Sequence, residues 1–385
     1  MLRTPWLRLA LLGLALALAL GCGRRGEESA WRLHVVQFRL PYGQSRLLNY
    51  DYPQLTLAGE QQLGSLSARV AVTPNGRELW VGSEASRDLF VLSDAGDSLV
   101  GRVMLGAAVG AIAFDAAGRR CLVAHGAVIS MGRDEPVATL IDMATRSPRW
   151  AFRTGKNPRA ACFDPTGERA FVGNTGDSTL TVLELKHGTV ADSLVVGAAP
   201  VDICADPLGR WLYVACLGAP SASGRARGAV HVLALPSLAP LAVLNAGEHP
   251  SRVTPLPGGD RIVVSELKVA PTEAARLRIY KVQADGAGRP AFKLWREIEA
   301  GDNPLAGGMS PDGRLFAVPD FAECRLALVD LEKGSVLRWL QLPGARGDHF
   351  AVDAVFTRAG DPAATRPGAG ESAPAVPDSA PAGDS

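Results

Sequence analysis

The sequence predicts an all-β fold, a seven-bladed β-propeller of four-stranded antiparallel blades, on three observations. One short turn recurs seven times, alternating strands flank each copy, and no helical periodicity lies between them. The turn reads TPNGR at Thr73–Arg77, DAAGR at Asp115–Arg119, DPTGE at Asp164–Glu168 and DPLGR at Asp206–Arg210. LPGGD at Leu256–Asp260, SPDGR at Ser310–Arg314 and TRAGD at Thr357–Asp361 complete the set. The turn glycines fall 42 to 54 residues apart, too far for the coils of a β-solenoid. Asp or Ser opens the turn by bonding its own backbone, Pro presets φ, and Gly takes the positive φ of a tight reversal.

The elements follow in order around each turn. A first strand precedes it, as in DICAD at Asp202–Asp206, and a second follows, as in ELWVG at Glu78–Gly82 and WLYVA at Trp211–Ala215. Third strands recur as DLFVLSD from Asp88, VATLIDM from Val137, TLTVLEL from Thr179, AVHVLAL from Ala229, RLRIYKV from Arg276 and RLALVDL from Arg325. Fourth strands close on Gly106, Gly155, Gly197, Gly247, Gly301 and Gly344. Six complete units span Ser67–Gly344, and the seventh has only an innermost strand and turn, His349–Gly360. Trp31–Leu40 and Gln54–Gly59 are predicted to supply its outer strands, so that the two chain ends share one blade and no sheet edge stays open. Trp31–Leu40 has the pattern of a third strand, while its distance from Gly59 suits a second. Gly59 stands where a fourth-strand glycine is expected.

The expected organisation is residues 1–21 as a leader, 22–30 as a short linker, 31–361 as the propeller and 362–385 as a disordered tail. Met1–Gly21 carries Arg3 and Arg8, then the apolar run Leu9–Leu20, which is too short for an ordinary spanning helix. LALGC at Leu18–Cys22 resembles the lipobox of bacterial lipoproteins. That resemblance implies lipidation of Cys22, a cell-envelope location and, with Gly23 next, the outer membrane. Residues 362–385 are dominated by Pro, Ala, Gly and Ser and cannot bury enough apolar surface to offset ordering. Loss of Arg3 and Arg8 with the leader takes the formal charge from +1 to −1, which gives no electrostatic case for nucleic acid.

At the level of the repeat the chain resembles the YVTN family of β-propellers. The residues that carry the resemblance are TGKNP (Thr154–Pro158), VGAAP (Val196–Pro200), AGEHP (Ala246–Pro250) and AGDNP (Ala300–Pro304), with WLYVAC at Trp211–Cys216 and LIDMATRS at Leu140–Ser147. The second and seventh copies lack the leading Pro. The resemblance covers about Ser67–Gly344 and implies the propeller fold and an extracytoplasmic protein. Related seven-bladed propellers include lactonases.

Catalytic signatures are missing: there is no GxSxG, HExxH, P-loop or EF-hand string, and the sequence assigns no catalytic residue, cofactor or metal site. Beyond Cys22 there are five cysteines without a CxxC. Cys162 and Cys204 occupy the same place in neighbouring first strands, as a pair of small buried hydrophobes or as a disulfide. Loops between blades and between second and third strands share one face, and the insertions Gly126–Pro136, Leu217–Gly228 and Leu267–Ala275 fall there. At the mouth of the channel on that face stand Lys156, Asn157, His249, Asn303, Asp348 and His349. Two residues past the recurring Pro position come Arg69, Asp202, Arg252 and Asp353, four charges among alanines. They form either a polar pocket or inter-blade pairs, Arg69 with Asp353 and Asp202 with Arg252. The function expected is a lipid-anchored binding module whose loop face takes a protein, glycan or small molecule. The alternative is a lactonase-like hydrolase in which Arg69, Arg252 and His249 meet an acidic or lactone group.

Overall fold

The computed structural model describes residues 31–40, 43–127, 137–219, 227–267, 276–321 and 323–358. Within them the chain forms seven four-stranded antiparallel sheets and no helix, a seven-bladed β-propeller. The leader, Cys22, the tail and most of the three long insertions lie outside the described residues.

Blade 4 shows why the repeat folds as it does. Its strands are Pro200–Ala205, Trp211–Cys216, Ala229–Ala234 and Pro240–Leu244, from the channel outward. All six residues of Trp211–Cys216 are buried, because neighbouring blades cover both faces of a second strand. Hence the run is apolar throughout instead of alternating. The turn before it is built as its composition dictates. Gly209 has φ +71° and donates its N–H to the Asp206 carbonyl at 2.8 Å. Arg210 donates to the Asp206 carboxylate at 2.7 Å and, through Nη2, to the Gly259 carbonyl of the next turn at 2.7 Å. Arg120 repeats this, bonding Asp115 at 2.9 Å and the Gly167 carbonyl at 2.6 Å. The cation near the end of the motif therefore ties adjacent blades together.

Blade 7 closes the ring. His349–Arg358 is its innermost strand and pairs with Trp31–Arg39, which pairs in turn with Gln44–Tyr52 and then Thr56–Leu63. Trp31–Arg39 is thus a second strand, as its distance from Gly59 suggests. Two details differ from the sequence reading. Gln44–Tyr52 is a strand that went unpredicted, and Gly59 does not end the fourth strand but sits inside it, opposite Asn49. Blade 6 has the shortest inner strand, Gly308–Met309, and its Gly308 lies so close to the backbone of Ala354 that a side chain there would clash.

Candidate functional site

The inner strands line the central channel, and a β-bulge near their start sets which residue reaches it. Pairing shifts register between Ser67 and Arg69, Pro158 and Ala160, Pro200 and Asp202, and Pro250 and Arg252. Together with Ala111, Ala306 and Asp353, the residues after the shift ring a chamber of about 460 Å³. The rest of its wall is largely apolar, with Val201, Ile203, Leu305 and Met309 among its residues.

Two aspartates do the same work at two joints. Asp353 is 1% exposed; its Oδ2 accepts the Val70 N–H at 3.2 Å and its Oδ1 the Ala354 N–H at 3.0 Å. Asp202 Oδ2 accepts the Val253 N–H at 2.9 Å. Each carboxylate thus staples its blade to the backbone just past the arginine of the following one. The expected pairs need correction for that reason. Among the described residues neither Arg69–Asp353 nor Asp202–Arg252 lies within 4 Å; instead Arg252 Nη1 reaches Asp353 Oδ1 at 3.5 Å, spanning blade 6, where Ala306 leaves room. Arg69 donates from Nε to the Gly110 carbonyl at 2.9 Å.

Burial raises the pKa of Asp202 against the pull of Arg252, and burial lowers that of Arg69 against the pull of Asp353. Burial also works against the charge of Arg252, but Asp353 and Asp202 outweigh it and raise its pKa. The chamber therefore holds ionisable groups against their desolvation cost, a pattern enriched at functional sites.

The structure brings Arg69, Asp202, Arg252 and Asp353 together and leaves the other six candidates outside the chamber lining. Lys156 is exposed and Asn157, with φ 48°, has a buried Oδ1 without a partner. His249 is 4% exposed, with Nδ1 3.4 Å from the Leu217 carbonyl and no partner at Nε2. Asn303 donates its N–H to Asp320 at 3.1 Å, and Asp348 is exposed. His349 lines a separate hollow of about 170 Å³ with Gln37, Arg39 and Arg46. Its pKa is lowered by burial and by the two arginines. The Arg69–Arg252–His249 trio of the hydrolase reading is therefore not assembled. Sequence reasoning passed over Arg159 as a chamber residue. Cys162 and Cys204 are free thiols, not a disulfide; each is half-buried, packed against the hydrophobic side chains between blades while lining the chamber.

No protein-family model matches the sequence, and no curated protein matches it either. Solved structures do. A functionally unknown protein from Desulfotomaculum acetoxidans aligns with TM-score 0.65 at 11% identity, over 83% of this chain and 99% of that one. A putative 6-phosphogluconolactonase from Bacteroides uniformis aligns with TM-score 0.65 at 12% identity, over 86% of this chain and 100% of that one. Hydrazine synthase from Kuenenia stuttgartiensis aligns with TM-score 0.57 at 16% identity, over 70% and 77%. At such identities the likeness is one of fold, the β-propeller class.

Proposed function

We propose that this is an extracytoplasmic, lipid-anchored propeller of the YVTN repeat type that binds a small organic anion in the channel chamber, reached from the loop-bearing face. The observation that carries this reading is Arg69. Its guanidinium lies on the chamber wall with one hydrogen bond and no carboxylate within 4 Å among the described residues. A desolvated cation held beside apolar walls is a receptor for a carboxylate or phosphate on a molecule with an apolar body.

Thermal shifts with a panel of small carboxylates and sugar acids test it. Arg69→Ala is expected to abolish the ligand-induced shift at a cost to the unliganded protein of at most about 1–3 kcal/mol, since relief of a desolvated charge offsets the loss of the bond to the Gly110 carbonyl. Arg252→Ala is expected to weaken the ligand and also to cost on the order of 1–3 kcal/mol, because Asp353 loses its charged partner. An unchanged shift in Arg69→Ala would remove the chamber from consideration.

A second reading is a lactonase-like hydrolase working in the same chamber, supported by the putative 6-phosphogluconolactonase among the structural neighbours. Turnover of a sugar-acid lactone above the buffer rate, lost in Arg69→Ala, would favour it over simple binding.

Anchoring rests on the LALGC string. Cys22→Ser is expected to move the protein out of the membrane fraction or leave an uncleaved precursor. Unchanged fractionation and mobility would contradict lipidation, and with it the outer-membrane location.

A further inference from the structure

We propose that the hollow at the loop-bearing end of blade 7 is a second site, built for a tetrahedral oxyanion, a phosphate or sulfate group, held by Arg39, Arg46 and His349. Strand register puts the residues of this hollow on one face of the blade. Arg39 lies directly opposite His349 on one side and Gln44 on the other. Two residues further along the strand, Gln37, Arg46 and Gln62 form a second row on the same face. The hollow they line measures about 170 Å³, enough for one small oxyanion, and among the described residues no acidic side chain lines it. It shares no lining residue with the channel chamber, so the inference does not rest on the anion reading of that chamber.

The donors are in place and short of acceptors. Arg46 is held at three points: Nε donates to Gln37 Oε1 at 2.9 Å, Nη2 to the Pro343 carbonyl at 3.0 Å and Nη1 to Glu60 at 2.8 Å. Each of its terminal nitrogens keeps one further N–H. The turn before His349 fixes that ring: Nδ1 accepts the Ala345 N–H at 3.2 Å. The neutral imidazole therefore carries its proton on Nε2, a donor without a partner among the described residues. The Arg39 side chain makes no ion pair or hydrogen bond among the described residues, which leaves its charge and its five N–H groups unused. Gln37 adds no open acceptor, because its Oε1 is taken by Arg46 and its amide nitrogen donates to the Pro343 carbonyl at 3.0 Å. Glu60 balances Arg46 without lining the hollow, so Arg39 supplies the uncompensated positive charge. A surplus of donors around that charge selects a ligand made of acceptors. A carboxylate is met from one plane, whereas these donors come from the first, second and third strands of the blade. Phosphate and sulfate present oxygens in that many directions.

The test is calorimetric titration of the full chain with inorganic phosphate and with sulfate, against chloride at matched ionic strength, with glycerol phosphate in a separate arm. The expected result is one oxyanion per chain, bound in preference to chloride. Glycerol phosphate bound as tightly as the inorganic ion identifies a phosphate ester as the occupant, and its exclusion identifies the free ion. Arg39→Ala is expected to weaken phosphate by about 10- to 100-fold, the loss of a charged hydrogen-bonding partner, and Arg39→Lys by less. Arg39 is exposed, so both variants are expected to melt with the parent. His349→Phe, which removes one neutral donor, is expected to weaken phosphate by about 10-fold. Arg69→Ala, in the chamber, is expected to leave phosphate affinity unchanged. Equal phosphate affinity in the parent and Arg39→Ala, or no oxyanion binding beyond that of chloride, would overturn the site. So would a loss confined to Arg69→Ala, which places the anion in the chamber instead.

Discussion

Deleting residues 31–63 is expected to abolish the folded monomer, while deleting residues 362–385 leaves the melting temperature unchanged. The first deletion removes three of the four strands of blade 7 and strips His349–Arg358 of its partner. Leu33, Val35, Val36, Phe38, Leu47 and Leu48, at most 1% exposed, leave with it. At roughly 1.5–3 kcal/mol for each buried apolar side chain, their loss approaches the whole margin of about 5–15 kcal/mol by which domains are stable. It also leaves the edge of His349–Arg358 unpaired and uncovers apolar side chains of blades 1 and 6, both of which invite association between chains. Soluble expression, size-exclusion profiles and thermal melts check this. A truncated chain that stays monomeric and melts where the parent does would rule out closure by the N-terminal strands as the source of stability. The tail is the control, since its composition gives it no apolar surface to contribute.

How much of this was legible in the sequence depends on whether a residue's role is set locally or across the ring. The turn glycines and the third strands are local: Gly209 needs positive φ, and VATLIDM forms a strand over Val137–Asp142. Gln44–Tyr52 was invisible because burial on both faces erases alternation, and because Ser45 and Asn49 are buried polar residues within it. Gly59 looked like a strand end only because six other fourth strands close on glycine. The charged ring was legible because the recurring proline counts out its register. Its bonds were not: that Asp202 and Asp353 seek backbone amides, and that Arg252 passes Ala306 to reach Asp353, depends on where neighbouring blades put their backbones. His249 and Asn157 read as channel residues by the same count, yet the chamber wall begins below them.

Acidification is expected to destabilise the propeller through His34, which joins the two chain ends to blade 1. His34 is fully buried on Trp31–Arg39; its Nδ1 lies 2.8 Å from Asn49 Oδ1 and its Nε2 2.8 Å from Thr357 Oγ1. Asn49 in turn donates to the Gly96 carbonyl at 2.8 Å, and Thr357 Oγ1 lies 2.9 Å from the Asp94 carbonyl. Asn49 Oδ1 can only accept, so neutral His34 carries its proton on Nδ1, and the single Thr357 hydroxyl hydrogen is shared between His34 Nε2 and Asp94. Protonation would supply the missing hydrogen, yet burial outweighs that gain and lowers the His34 pKa to about 4. The unfolded chain binds this proton near pH 6.5, so the folded state loses stability as pH falls from about 6.5 to about 4, by roughly 3 kcal/mol in all. Above pH 6.5 the contribution is complete and flat. Urea melts of the parent and of His34→Gln at pH 7.5, 5.5 and 4.5 isolate the term, because carboxylate titrations are common to both. At pH 7.5 the variant is expected to be the less stable by about 1–3 kcal/mol, having left Asn49 and Thr357 short of a partner. That gap is expected to narrow steadily toward pH 4.5, and a gap independent of pH would show that His34 does not carry the acid sensitivity of the closure.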